Sequence, residues 1–580
     1  MIFLYLYSSC TYLEGVIMRG VTKRFVIVGG VAAGATAAAR IRRLDEEAEI
    51  TLLERGPYVS FANCGLPYHI AGDIEKRSKL ILQTPEGFFS RYRVTVRLNS
   101  EVVSIDRIGK EVSLKNGERL PYDYLILAQG GTPVIPALPG ADYPHVFKLW
   151  TIPDMDAINR YIREKSPQRA VVVGGGFIGL ETAEAFVKRG IGVTIVELMD
   201  RLMPTLDFPY GRRIQERFES EGARIVVGKG ISAIEEKRVI LQDGTSLPAD
   251  LVLLSVGVRP NVELAKAAGL HIGSTGALRV DEYLRTEDPY IWAAGDMVEV
   301  VSRVTGARVK IPLAGPANRQ GRIAATNAVA MLAKELGLEA PEPIPYRGAL
   351  GTSVVKVFDE TVASTGLSLE GAERAGLKAR EATILKPNHA TYYPGYEDLL
   401  LTLVYEEGSG RILGAAAMGK EGVEKRIDAV AVAITAGFTV EDLAEVDFAY
   451  APPYSSANDP LNIAAFAAAN ARSGYCPLAS FKELASSLCG SGDSLFLDVR
   501  TYGEFQREHL AGSLHIPLDE VRDRLEELPT GKPIRVISSG GYEGHLATRL
   551  LLQKGYTDVA NCSGGWAVLR LVPGISIERS

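Results

Sequence analysis

An α/β fold of several domains is predicted from three observations. A buried-type strand near the start runs into glycines and a small-residue helix. The same pattern returns about 145 residues later, and a last βα-type stretch closes the chain. With 580 residues, at roughly 150 per domain, about four domains are expected. Apolar residues make up 46% and charged residues 23%, which suits several packed cores and excludes a disordered chain.

The elements follow in order. RFVIVGG reads as a buried parallel strand, AAGATAAARIRRL as a helix and EITLLER as a second strand. YDYLILAQG is a further strand. RAVVVGGGFIGLETAEAFVKRGIGVTIVE repeats the strand–turn–helix–strand unit, and ADLVLLSVG is a strand beyond it. Residues 346–465 lose this rhythm and carry strands LLLTLVY and RILGAAAMG, with a helix after Glu421. AFAAANARSGYC, residues 466–476, reads as a linker, and one small domain follows from Pro477.

A net charge of −6 and the lack of a basic arm give no reason to expect nucleic acid. Residues 1–17 are apolar for only about seven positions, far short of the roughly 20 that cross a bilayer. Met18 is read as the natural start, no membrane span is expected, and a cytoplasmic protein is. Five scattered cysteines form no disulfide framework and have no CxxC spacing, so no metal site is expected.

Backbone N–H groups at a helix N-terminus hold a pyrophosphate, and glycines let the backbone approach. Gly174, Gly176 and Gly179 make GxGxxG between strand and helix, and Glu197 ends the next strand, where it can accept from ribose hydroxyls. That predicts NADH or NADPH: Glu197 favours NADH, while Arg201 close by keeps NADPH open. In the first unit Gly29 and Gly34 hold the outer positions, Val31 replaces the middle glycine, and Glu54 ends the strand with Arg55 beside it. Three later segments resemble those of flavin oxidoreductases with two dinucleotide domains. They are PYIWAAGD with Asp296, LILAQGG, and SVGVRPN with Gly257. The resemblance implies FAD on the first unit, with Asp296 holding the ribitol. A helix N-cap is the plain alternative for Asp296.

Cys64 lies in SFANCGLPYHIAG, and His69 stands where a redox pair would place its second cysteine. One thiol must therefore work alone, its pKa lowered by helix dipoles or by the flavin. SFANCGLPY, with YYPG and FAYAPPYS, resembles coenzyme A disulfide reductase, in the form fused to a rhodanese domain that includes NAD(P)H-dependent persulfide and polysulfide reductases. The likeness spans residues 24–580. It implies two Rossmann-like dinucleotide-binding domains, an α+β dimerisation domain and a C-terminal rhodanese-like α/β domain. The boundaries are 23–140 and 257–345 for FAD, 141–256 for NAD(P), 346–465 for dimerisation and 477–580 for the rhodanese part. It further implies a homodimer in which Tyr392 and Tyr450 reach the partner's cysteine. Coenzyme A would be bound by Ser60 and Asn63 beside the cysteine and by Arg40 and Arg43 on its phosphates.

SLFLDVRTYGEFQREHLAGSLHIPL and NCSGGW resemble a rhodanese. Its cysteine position falls on Ser538 in VISSGGYEGH and its arginine position on Glu543, so sulfur transfer by this domain is not expected. Cys562 is either core or a displaced acceptor. The function implied is reduction of coenzyme A disulfide, coenzyme A persulfide or polysulfide. The alternatives are an NADH oxidase, disfavoured because GGVAAGA holds no histidine, and a redox-sensing flavoprotein module.

Overall fold

The computed structural model describes residues 23–337, 339–489 and 494–579; the expectation about residues 1–17 lies outside them. The first unit is β1 (Arg24–Val28), α1 (Ala32–Leu44) and β2 (Glu49–Leu53), followed after a turn by α2 (Leu66–Ala71). β1 pairs in parallel with β2 and with Tyr124–Leu127. The five-stranded sheet runs Ile291–Ala293, Tyr124–Leu127, β1, β2, Val94–Arg97. A strand from far downstream thus returns to the first sheet and brings Asp296 with it.

The second unit is β3 (Arg169–Val173), α3 (Phe177–Lys188) and β4 (Gly192–Val196). Its parallel sheet runs Arg224–Val226, β4, β3, Leu251–Leu254, Val146–Phe147. Strands covered on both faces need apolar residues on both, and Val171, Val172 and Val173 are all buried. The long helix α4 (Ala314–Glu335) crosses α1. The alanines of α1 permit this close approach: a Cβ on Gly321 would lie 2.2 Å from the Ala33 carbonyl oxygen.

A five-stranded antiparallel sheet follows, in the order Ser353–Val357, Glu360–Gly366, Ile412–Gly419, Asp398–Glu406 and β5 (Ala379–Pro387), which forms one edge. Helix Val423–Ala436 and α5 (Pro460–Arg472) pack on it. The expected linker at 466–476 is corrected: α5 runs through most of it. Asp459 caps α5 in a capping box with Asn462, and Ala464, Ala465 and Ala468 are buried. Alanine favours helix as strongly as any residue, so alanine-rich sequence here marks a packed helix. A last parallel sheet orders Leu478–Ala479, Val559–Cys562, Ile534–Ile537, Leu495–Asp498 and Leu514–His515. No helix among the described residues is long and apolar enough to cross a membrane.

Candidate active site

The two glycine turns are built alike. A Cβ on Gly34 would sit 1.8 Å from the Gly29 carbonyl oxygen, and one on Gly179 2.0 Å from that of Gly174. Neither position admits a side chain, so each helix starts hard against its strand. Val31 and Gly176 occupy the N-cap positions of α1 and α3 without a side-chain cap. The backbone N–H groups there remain free for an anion. Gly176 has open space where a Cβ would stand, in keeping with its place on the cleft wall. Each acidic partner is fixed by backbone donors. Glu54 accepts from Gly30 N at 2.9 Å and Gly56 N at 2.7 Å. Glu197 accepts from Gly175 N at 2.7 Å and Met199 N at 2.9 Å. Arg201 is turned away: its Nε reaches Leu206 O, and its Nη atoms reach Asp200 and Glu370.

A cleft of about 1380 Å³ joins the two turns. Of the predicted residues, Gly29, Glu54, Arg55, Asn63, Cys64, Gly176, Gly257 and Asp296 line it. Gly34, Gly174 and Gly179 stand behind the turns, and Glu197 lies beside the second. Asp296 is no helix cap, since Leu313 holds that position of α4. Burial pushes its carboxyl up to about 6, and among the described residues no group donates to it. Close by, the Gln129 side-chain oxygen is buried without a partner. A polar ligand with hydroxyl and amide donors would satisfy both, so the cleft fits a flavin dinucleotide.

Cys64 sits in the tight turn Asn63–Gly65 that leads into α2, its Sγ 3.7 Å from Asn63 Oδ1. The residue is exposed to the cleft solvent, yet desolvation by the surrounding cleft walls, and then Glu181 and Asp296, raise its thiol pKa. This corrects the expected lowering by helix dipoles. α2 is only six residues long, and burial, then Glu181 and Asp296, act against the thiolate. The low pKa a nucleophile needs must come with bound cofactor or with protonation of those carboxylates.

Glu181 was missed in the sequence. It lies on α3 four residues beyond Phe177, and both line the cleft. Tyr68 OH donates to its Oε1 at 3.0 Å. Burial, with Glu184 nearby, pushes its carboxyl up to about 7. The available signal was an acidic residue one helical turn past the glycine turn, within an otherwise apolar stretch.

Tyr392 and Tyr450 share a hydrogen bond of 2.8 Å between their hydroxyls. They are 74% and 47% exposed, and neither lines the cleft of its own chain. The loop behind Tyr392 is anchored by the buried Arg426, which pairs with Asp459 at 2.9 Å and donates to Asn388 O. Ser60, at φ 46°, is a turn residue whose carbonyl accepts from Leu82 and Gln83 N–H. Arg40 donates to Thr326 on α4; burial, Arg322 and Arg43 all lower its pKa. Arg40, Arg43 and Arg322 do not line the cleft. In the last domain Ser538 is fully buried and accepts from Gly541 N at 2.9 Å. Cys562 is also fully buried, and burial pushes its thiol far up, so it is core and not a displaced acceptor.

Two paired glycine turns opening on one cleft, with a single thiol between them, define a dinucleotide-dependent thiol oxidoreductase. Family models agree. Residues 23–321 match the pyridine nucleotide-disulphide oxidoreductase model, 352–460 its dimerisation domain, and 480–570 the rhodanese-like domain. The chain belongs to the pyridine nucleotide-disulphide oxidoreductase family. It is similar to the reduced CoADR-RHD of Bacillus anthracis, with TM-score 0.90 and 42% identity over 96% of this chain and 99% of that one. The NAD-dependent persulfide reductase of A. fulgidus matches with TM-score 0.86 and 36% identity over 94% and 99%. The CoA-dependent NAD(P)H sulfur oxidoreductase of Pyrococcus abyssi is 37% identical over 77% of this chain and 98% of its own length.

Proposed function

We propose that the protein is a homodimeric, cytoplasmic NAD(P)H-dependent reductase of coenzyme A disulfide, coenzyme A persulfide or polysulfide, working through Cys64. The observation that carries this is one thiol in a cleft shared by two dinucleotide turns. Cys476 and Cys562 are buried outside it.

When bound, FAD supplies the two-electron link between the nicotinamide and the sulfur–sulfur bond. Gly29, Gly34 and the free N–H groups of α1 would hold its pyrophosphate, Glu54 and Arg55 its ribose end, and Asp296 its ribitol. Gly174, Gly176, Gly179 and Glu197 would hold the nicotinamide dinucleotide, and Gly257 leaves its turn open to the cleft. The Cys64 thiolate attacks one sulfur of the substrate. The S–S bond breaks, a mixed disulfide or persulfide forms on Cys64, and the second half leaves as thiolate. Hydroxyls of the partner subunit's Tyr392 and the partner subunit's Tyr450 donate to that thiolate. Asn63 orients the sulfur, and Arg40, Arg43 and Ser60 face the coenzyme A phosphates and arm.

An NADH oxidase is the weaker reading. Among the described residues no histidine lines the cleft, and His69 faces the Ile74 carbonyl. Cys64→Ser is the test. It should abolish turnover of coenzyme A disulfide and persulfide, followed anaerobically as NADH loss, and keep the bleaching of bound flavin by NADH. Normal turnover in that variant overturns the proposal.

A further inference from the structure

Reduction of a disulfide by NADH consumes one proton: NADH + H⁺ + R–S–S–R gives NAD⁺ and two R–SH. Hydride brings two electrons and one hydrogen to the two thiols; the second proton comes from water. With substrate over Cys64, a proton-transfer group in the cleft wall with its own line to solvent would supply that proton without a path through the substrate. We infer that Glu181 is the proton-transfer group of the Cys64 pocket, and that Glu184, Lys188 and Asp73 connect it to the surface. This rests on the reductase reading above.

Glu181, Glu184 and Lys188 stand at i, i+3 and i+7 on α3, which places them on one face. A separate small cavity of about 10 Å³ lies against Tyr68, Asp73, Glu181, Glu184, Lys188 and Lys356. That is the lower limit of space for one water; Pro67, Ala71 and Ala185 supply apolar wall, and the side chains of Tyr68, Glu181, Glu184 and Lys188 are the polar partners a water there would meet. Beyond it, Glu184 meets Lys188 Nζ at 3.0 Å, and Lys188 meets Asp73 at 3.0 Å. Side-chain exposure rises along this line, from 7% at Glu184 to 30% at Lys188 and 44% at Asp73. The other Glu184 oxygen accepts from Phe358 N at 2.8 Å, which fixes the carboxylate towards the cavity.

The groups facing Glu181 are Tyr68 and Cys64 from the α2 side, Glu184 from its own helix, and Lys356 across the small cavity. Among the described residues no cation forms an ion pair with it. Its carboxyl therefore exchanges a proton near neutral pH, where a general acid works best. The coupling to Cys64 has the required sign. A protonated Glu181 removes a negative charge from beside the sulfur and favours the attacking thiolate. Once it has released the proton it disfavours thiolate, so the product leaves as thiol.

Three variants measured together test the assignment. In the wild-type enzyme kcat for coenzyme A disulfide should fall as pH rises through about 7. Glu181→Gln should lose that limb and about 10²-fold in kcat, with the KM for NADH unchanged. In the resting holoenzyme the pH midpoint of Cys64 alkylation by iodoacetamide should move down in Glu181→Gln. Lys188→Met should lower kcat and raise the solvent deuterium isotope effect, with the alkylation midpoint unchanged. Tyr68→Phe tests the inner bond separately and should shift the limb without removing it. A Glu181→Gln enzyme that keeps both the limb and the alkylation midpoint overturns the proposal; unchanged kcat and isotope effect in Lys188→Met overturn the route. Alkylation needs no turnover. A wild-type enzyme inactive on coenzyme A disulfide would refute the substrate, and the alkylation shift would still decide on Glu181.

Discussion

Leu385, on the edge strand β5, donates its backbone N–H to the Gly540 carbonyl at 3.1 Å. Two residues back, Thr383 N donates to Ser563 Oγ at 2.8 Å and Thr383 O accepts from Gly564 N at 2.8 Å. Both signature loops of the rhodanese-like domain are thus fastened to an edge strand that would otherwise present unpaired backbone groups. A Cβ on Gly540 would meet the Leu385 carbonyl oxygen at 2.6 Å, so the contact is close-packed.

This docking predicts that the missing cysteine is not the sole barrier to sulfur transfer. Ser538→Cys places a thiol at a fully buried position, beside a loop already spent on β5, and Glu543 still stands where a cationic side chain is expected. The variant should show no thiosulfate:cyanide sulfurtransferase activity above the parent, measured as thiocyanate. Restored activity would mean that the loop opens in solution.

The coenzyme choice follows from how Arg201 is held. Its Nε and both Nη atoms are taken by Leu206, Asp200 and Glu370, so it offers nothing to a 2′-phosphate. Glu197 has backbone donors on both oxygens and stands where ribose hydroxyls would reach it. NADH should be preferred over NADPH in kcat/KM. A hydrogen bond to a charged group is worth about 1.5–3 kcal/mol, or roughly 10- to 100-fold. Glu197→Ala should lose about that factor with NADH, and adding Leu198→Arg at the exposed neighbouring position should raise activity with NADPH. Equal use of both coenzymes by the parent chain would contradict this.

Patterns that depend on neighbours in sequence were legible. The two βαβ units, their glycines and Glu54 and Glu197 all lie within local motifs, and the strands match the apolar runs closely. Relations made across domains were not. Glu181 reads as part of an apolar helix, and its role appears only when Tyr68 and the Cys64 turn fold against it. The Cys64 thiol was expected to be lowered by helix dipoles or by the flavin; burial, Glu181 and, from more than two hundred residues away, Asp296 act in the opposite sense. AFAAANARSGYC looked like a linker because its residues are small, yet small residues are what α5 needs to pack closely on the antiparallel sheet.

A junction of three domains makes stability depend on pH. Glu381, on β5, is buried, and its Oε1 accepts from Phe481 N at 3.1 Å. Burial and the neighbouring Asp207 push its carboxyl up to about 8, against an ordinary value of 4.5, with Glu483 and Glu373 acting in the same sense. Asp207, itself raised by burial, accepts from Leu369 and Glu370 N–H. Phe208 stacks on Phe481 at 5.4 Å beside them. The folded chain therefore binds a proton that the unfolded chain has released between pH 4.5 and about 8. Stability from this group is complete below 4.5 and is lost as pH rises through about 8. The slope is at most about 1.4 kcal/mol per pH unit. Glu381→Gln keeps the acceptor for Phe481 N and cannot ionise. Its Tm should equal that of the parent near pH 4.5 and exceed it at pH 8, in thermal unfolding followed at both values. A gain that is the same at both would show that Glu381 is charged in the folded chain throughout.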